Sequence, residues 1–257
     1  MKIITHYMDS VNVAKDVNCE DIAKMLTGRS CATLATVINK AAVEAAYAGK
    51  GHIEMEDFVT ATLADVYKLT NRCNEIDREL QEAIAYHEAG HTVIQEVLMP
   101  DSTGMVSLSA QEGDIGGFSL RCKEGVCRVA HRILVLLGGK AAHEMTYGNV
   151  ARGTSRDLAE AGDLMETVIK RMGSHGFAHM ESPCRADSER SLSAWDHVVH
   201  AEMERYLYKA KEIIAENREF LDKLAAELLA KHTLLYSDIK RIRESCRITP
   251  AVVGDRY

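Results

Sequence analysis

His87, Glu88 and His91 stand in the stretch AIAYHEAGHTVIQEVL, two imidazoles four residues apart with a carboxylate directly after the first. On a helix, positions i and i+4 lie one above the other on the same face. Two ring nitrogens so placed can converge on one zinc ion at about 2.0–2.1 Å each. Glu88 lies about 100° around the helix from His87, a position suited to a general base acting on a water that a metal has acidified. The competing interpretation is an amphipathic helix that carries two incidental histidines. The chain has 11 histidines, and these three residues supply no third ligand, so both interpretations stand at this point.

The element that must hold these residues is a helix. From Glu75 to Leu98, Ile76, Leu80, Ile84, Val93, Ile94 and Val97 recur at helical spacing, and no proline intervenes before Pro100. Gly90 costs such a helix roughly 1 kcal/mol relative to alanine, and close approach of another backbone is one reason to keep it.

Composition sets the outer limits. A chain of 257 residues accommodates one large domain or two modest ones. Its hydrophobic fraction of 46% and charged fraction of 27% are those of a soluble globular protein. A net charge of −7 leaves no basic surplus to neutralise phosphates, which argues against a general nucleic-acid binder. Three prolines, with few aromatic residues, point to a mainly helical chain. The longest apolar run, ILVLL at 133–137, is five residues, far short of the roughly 18 of a membrane span. The start MKIITHYMDS is too short and too polar for a signal peptide. Seven cysteines without CxxC pairing suit a reducing compartment, and Cys122 with Cys127 make a weak candidate metal pair.

Along the chain, residues 1–70 read as a small helical bundle built from CEDIAKMLTG, ATLATVINKAAVEAAYAG and MEDFVTATLADVYK. Gly49 and Gly51 are a stop signal, and IEMEDF opens the last helix with acids in its first turn. LTNRCNEID is the polar joint to a second region, residues 71–257. There GMVSLSA, the turn QEGDIGG and FSLRC predict a β-hairpin. A helix interrupted at Gly138-Gly139 follows, then GTSRDLAEAGDLMETVIKRMG with Thr154 or Ser155 as N-cap. With Thr154 as N-cap, Asp157 sits at N3, where an acid completes a capping box. FAHMESPCRADSERSLS reads as loop, and the run from Ala194 to Ile242 as long helices.

This order resembles the FtsH-type family of AAA metalloproteases over nearly the whole chain. AYHEAGH matches that family's zinc motif, LLGGKAAHE its following helix, and GTSRDLAEA the segment carrying its third ligand. YKAKEIIAENREFLDKLAAELLAKHTL is similar to its closing helices, and residues 1–70 to the helical lid subdomain of its ATPase. The fold implied is mainly α, a lid-like bundle followed by a mostly helical zinc peptidase domain with a small hairpin or sheet.

The resemblance implies one zinc ion per chain on His87, His91 and Asp157, with Glu88 as the base. Glu144 is the rival third ligand and is expected instead to orient an imidazole. His143, His175, His179, His197 and His200 are expected to be surface or core residues. Val106, Ser107, Leu108 and Ser109 form a candidate edge strand that pairs with an extended substrate. The implied activity is hydrolysis of unfolded or membrane polypeptides by a homo-hexamer fed by an upstream AAA ATPase module. The catalytic region would face the cytoplasm in a membrane-anchored full-length relative, with this chain itself soluble. Departures qualify this picture. No GxxxxGK[ST] loop occurs, and the family's GFSGADL reads GRSCATL at 28–34, so ATP is not expected to bind this chain in the family manner. The chain is expected to be the C-terminal part of a longer protease or a relative without its motor. The other functional class is a non-catalytic assembly or adaptor domain that keeps the fold.

Overall fold

The computed structural model describes residues 2–69, 77–109, 117–121, 129–149, 153–172, 174 and 189–253. Most of the expected joint at 69–77, the turn at 111–116, Cys122, Cys127, His175, His179 and most of the loop after residue 176 lie outside them.

Four helices form the N-terminal bundle: α1 (Lys2–Met8), α2 (Cys19–Met25), α3 (Cys31–Tyr47) and α4 (Met55–Ala61), the last continuing as a π-helical turn through Thr62–Tyr67. Their starts are chemically marked. The Asn18 side chain accepts the Glu20 amide, and the Ser30 hydroxyl accepts the Thr33 amide. Gly49, at φ +70°, ends α3 as expected of the Gly49–Gly51 signal. The buried faces of these helices, Ile22, Met25, Val37, Ala41, Phe58 and Ala61, make one apolar core.

The second region is built on α5 (Arg78–Leu98), α6 (Val129–Tyr147), α7 (Thr154–Glu166), α8 (Glu189–Glu216), α9 (Arg218–Lys231) and α10 (Tyr236–Glu244). Val93, Ile94, Leu134, Leu137, Met165, Ile213 and Leu224 lie in its core. Two expectations are corrected here. The Gly138-Gly139 pair does not interrupt α6, which runs through it with α5 filling the space that two side chains would take. The C-terminal run is not purely helical: His232 adopts a left-handed φ of 60°, and a short strand follows.

That strand, β3 (Thr233–Leu235), completes an antiparallel sheet with β1 (Thr103–Ser107) and β2 (Phe118–Arg121) in the order β2-β1-β3. The expected antiparallel pairing of these two strands is present, but β1 is the central strand of the sheet. Val106 pairs with Ser119 on one side and Leu234 on the other, and Ser107 with Phe118 and Thr233. The Leu108 amide donates to the His232 carbonyl at 2.9 Å, and the Ser109 amide to the Ser107 hydroxyl at 3.2 Å. Residues 106–109 are therefore no free edge. Their polar backbone is already paired by a three-residue strand too short to show any periodicity in sequence.

Strand alternation makes the sheet a wall between the two cores. Val106 and Leu234 face the second core, whereas Met105 and Leu235 join the core of the bundle, with Phe118 and Leu120 packed against it. A buried polar contact ties the same parts together: Asp21 accepts the Ser237 amide at 2.8 Å and its hydroxyl at 2.6 Å. At the far end of α5, buried Glu96 accepts the amides of Asp101, Ser102 and Thr103 and pairs with Arg243 at 2.6 Å. One carboxylate thus fixes the turn that launches β1 and docks α10.

The tightest contact joins α5 to α6. A Cβ on Gly90 would lie 2.4 Å from the Gly138 carbonyl oxygen, and one on Gly138 would lie 2.7 Å from that of Gly90. Gly90→Ala is therefore expected to destabilise the protein by about 1–3 kcal/mol in denaturant unfolding, because backbone has to move. Gly162→Ala in α7, where a Cβ meets nothing within 4 Å, is the control. It should stabilise by about 0.4–1 kcal/mol through helix propensity and unfolded-state entropy.

Candidate metal centre

The α5–α6 contact places the imidazoles. Next to Gly138, a Cβ on Gly139 would sit 2.5 Å from His87 Cε1 and 2.6 Å from His91 Nε2. Only a glycine lets both rings lie against the α6 backbone. His87 and His91 are each 8% exposed, so their polar atoms need partners inside the protein.

Those partners include Asp157, on the first turns of α7. Its Oδ2 lies 3.1 Å from His87 Nε2 and 3.3 Å from His91 Nε2, and the two Nε2 atoms are 3.1 Å apart. Among the described residues these three make the one group whose ligand atoms approach closely enough to hold a metal ion. A tetrahedral ion with bonds of 2.0–2.1 Å separates its ligands by about 3.3–3.4 Å. The observed triangle, with edges of 3.1–3.3 Å, has the size of one face of such a tetrahedron.

The tautomer supports ligation. His91 Nδ1 lies 2.7 Å from the Val135 carbonyl oxygen. A carbonyl only accepts, so Nδ1 carries the hydrogen and the neutral ring presents its lone pair at Nε2. With no ion, burial pulls the His91 imidazole down, but Asp157 and Glu88 carry it up to about 9. Burial would raise Asp157 in turn, yet hydrogen bonds from His87 and His91 hold its carboxyl well below the usual range. A divalent cation and a proton on His91 therefore compete for one position.

Asp157 is not a helix cap. The N-cap of α7 is Gly153 with no side-chain hydrogen bond, which puts Asp157 one position past N3. Its carboxylate turns to the imidazoles instead.

Glu144 is corrected in the other direction. Its Oε1 pairs with Lys140 and its Oε2 with Lys211 at 2.7 Å, so both oxygens are engaged away from the imidazoles. Burial opposes ionisation there, but the two lysines hold the carboxyl below its ordinary value. His143 is buried with Nε2 on Asn149 Oδ1 at 2.9 Å, and His197 and His200 are exposed on α8.

Glu88, buried beside His87, is pushed above the ordinary carboxylate range by burial, opposed by His91 and His87; it accepts the Gly117 amide. A Cβ on Gly117 would lie 2.3 Å from Glu88 Cγ and 2.9 Å from its Oε1. Gly117, Gly139 and the Val135 carbonyl were not identified from the sequence. A glycine pair inside an apolar helix was the available signal for Gly139; a main-chain carbonyl leaves none.

The model of peptidase family M41 matches residues 74–242. Among curated relatives, the ATP-dependent zinc metalloprotease FtsH of Thermotoga maritima is 29% identical, over 94% of this chain and 43% of that protein. FtsH of Mycoplasma genitalium is 27% identical, over 98% of this chain and 38% of that protein. FtsH of Pseudomonas putida is 24% identical, over 91% and 42% respectively. The chain spans about two fifths of the length of these relatives.

Three measurements bear on the centre. Metal analysis is expected to give about one zinc per chain, lost in His91→Ala, since two ligands hold the ion poorly. In chelator competition Asp157→Asn should release zinc readily, whereas Glu144→Gln should stay within about tenfold of wild type. Zinc affinity should weaken as pH falls below about 9, because His91 must lose its proton to bind. Calorimetry in buffers of different ionisation enthalpy should detect that released proton.

Proposed function

Because the chain belongs to peptidase family M41, we propose that His87, His91 and Asp157 are the zinc ligands of an endopeptidase in which Glu88 is the general base. The observation that carries this reading is the triangle of donor atoms, with edges of 3.1–3.3 Å. Held by these three side chains, a zinc ion would supply Lewis acidity toward a peptide carbonyl and a water. Glu88 takes a proton from the attacking water and returns it to the leaving amine. Its burial suits both steps, since a carboxyl raised above the ordinary range is a stronger base and still a usable acid. The Val135 carbonyl holds the hydrogen on His91 Nδ1, which leaves Nε2 as the nitrogen that would hold the ion.

Substrates are extended, unfolded or membrane-derived polypeptides. The pairing strand for them is β2 rather than β1. Among the described residues β2 is paired on one side only, and it begins at Phe118, directly after the glycine that touches Glu88. Main-chain pairing to such a strand reads little sequence, which suits a protease of broad specificity. The relatives are named ATP-dependent. We extend this to a homo-hexamer in which an AAA ATPase module, not carried by residues 1–257, unfolds and delivers the substrate.

Glu88→Gln tests the chemistry. The variant is expected to retain zinc, because Glu88 is not a ligand, and to lose at least 100-fold in cleavage of an internally quenched peptide. Near wild-type cleavage by that variant would remove Glu88 from the role of base.

A further inference from the structure

The bundle and the candidate base meet through a short series of contacts. Tyr67 closes the π-helical turn after α4 and is anchored twice: its hydroxyl donates to the Met25 carbonyl at 2.6 Å, and the Arg29 guanidinium lies 5.2 Å from its ring centre. Its ring packs on Phe118 with centroids 4.8 Å apart. Phe118 is the first residue of β2 and shares a sheet face with Met105 and Leu235, which belong to the bundle's core. The residue before it, Gly117, lies against the Glu88 side chain.

From this chain of contacts we infer that Tyr67 is a positioning residue for Glu88: the helical bundle sets the base by clamping Phe118 and so placing the Gly117 backbone against the carboxylate. The inference rests on the reading of Glu88 as base and adds the bundle as a part that controls it. Geometry favours a rigid link. Gly117 has no side chain to absorb movement, and the gap it leaves beside Glu88 is too small for a Cβ. A shift of Phe118 therefore moves the Gly117 amide relative to the Glu88 oxygens. Displacements of about 1 Å at such a site cost on the order of 100-fold in rate. The alternative role for Tyr67 is ordinary packing of the bundle, and it predicts a different pattern of effects.

The test uses the full chain with zinc bound and three variants, Tyr67→Phe, Tyr67→Ala and Phe118→Leu. Hydrogen exchange is read at the Gly117 amide and at α5, zinc content is measured, and turnover of an internally quenched peptide is resolved into kcat and KM. Tyr67→Phe keeps the ring but loses the hydroxyl's bond to the Met25 carbonyl, so its Gly117 amide should exchange at a rate between those of wild type and Tyr67→Ala. Tyr67→Ala and Phe118→Leu should keep one zinc and α5 protection, exchange the Gly117 amide at least tenfold faster, and lose roughly tenfold in kcat. Unchanged Gly117 exchange in both variants overturns the proposal, whatever the activity. So does a fall in α5 protection equal to that at Gly117, which would make Tyr67 a general stability residue. If Tyr67→Ala fails to fold, Phe118→Leu decides alone by the same criteria. Failure of the underlying reading is distinct: Glu88→Gln would then cleave normally even if the exchange results held.

Discussion

Backbone meets backbone where α5 crosses α6, and the position of nearly every chemical group follows from that contact. Gly90 and Gly138 each occupy a place where a methyl group would penetrate the opposite main chain. At that separation, the next glycine along α6 lies under both imidazoles, and the Val135 carbonyl reaches His91 Nδ1. Interiors pack too densely to accommodate even one added methylene without displacement. A larger residue at any of these glycines would move the helices apart and the rings out of register with Asp157.

Four carboxylates in the second region show how surroundings divide one chemical group among different tasks. Asp157 is partly buried against two imidazoles, which favour its charged form. Glu88 is enclosed and pushed toward its neutral form by burial, against the pull of His91, His87 and the Gly117 amide. Glu144 is neutralised by two lysines. Glu96 is almost fully enclosed, but three amides and an arginine satisfy it, so it acts as a structural clamp. Buried charges are tolerated where partners are complete, and the carboxylate that burial pushes toward its neutral form is the one beside the imidazoles.

The sheet has a comparable double role. With β1 buried on both faces, the sheet is held by the bundle on one side and by the helices of the second region on the other. Its three strands come from distant parts of the chain, and the last has only three residues. The bundle is consequently part of the environment in which the candidate base sits, and not merely a neighbour joined to it.

Local information in the chain was sufficient for the main helices and for the placing of His87 and His91 on one face. The apolar spacing from Ile76 to Val97 marks α5, and four-residue spacing alone puts His87 and His91 on one face. Family resemblance placed Asp157 on the segment that became α7, and the close approach that Gly90 implied is present. What sequence left undetermined is long-range. Asp157 could have capped its own helix, and only the arrival of α7 beside α5 turns it to the imidazoles. Glu144 carries the same charge in a similar helix, but Lys211 of α8 intercepts it. Residues 106–109 alternate like an edge strand, and a strand that follows them by more than 120 residues makes them central. Periodicity and spacing act within a single element and are legible one element at a time. The partner of a buried charge or of a strand backbone is chosen by packing between elements, which no local pattern encodes.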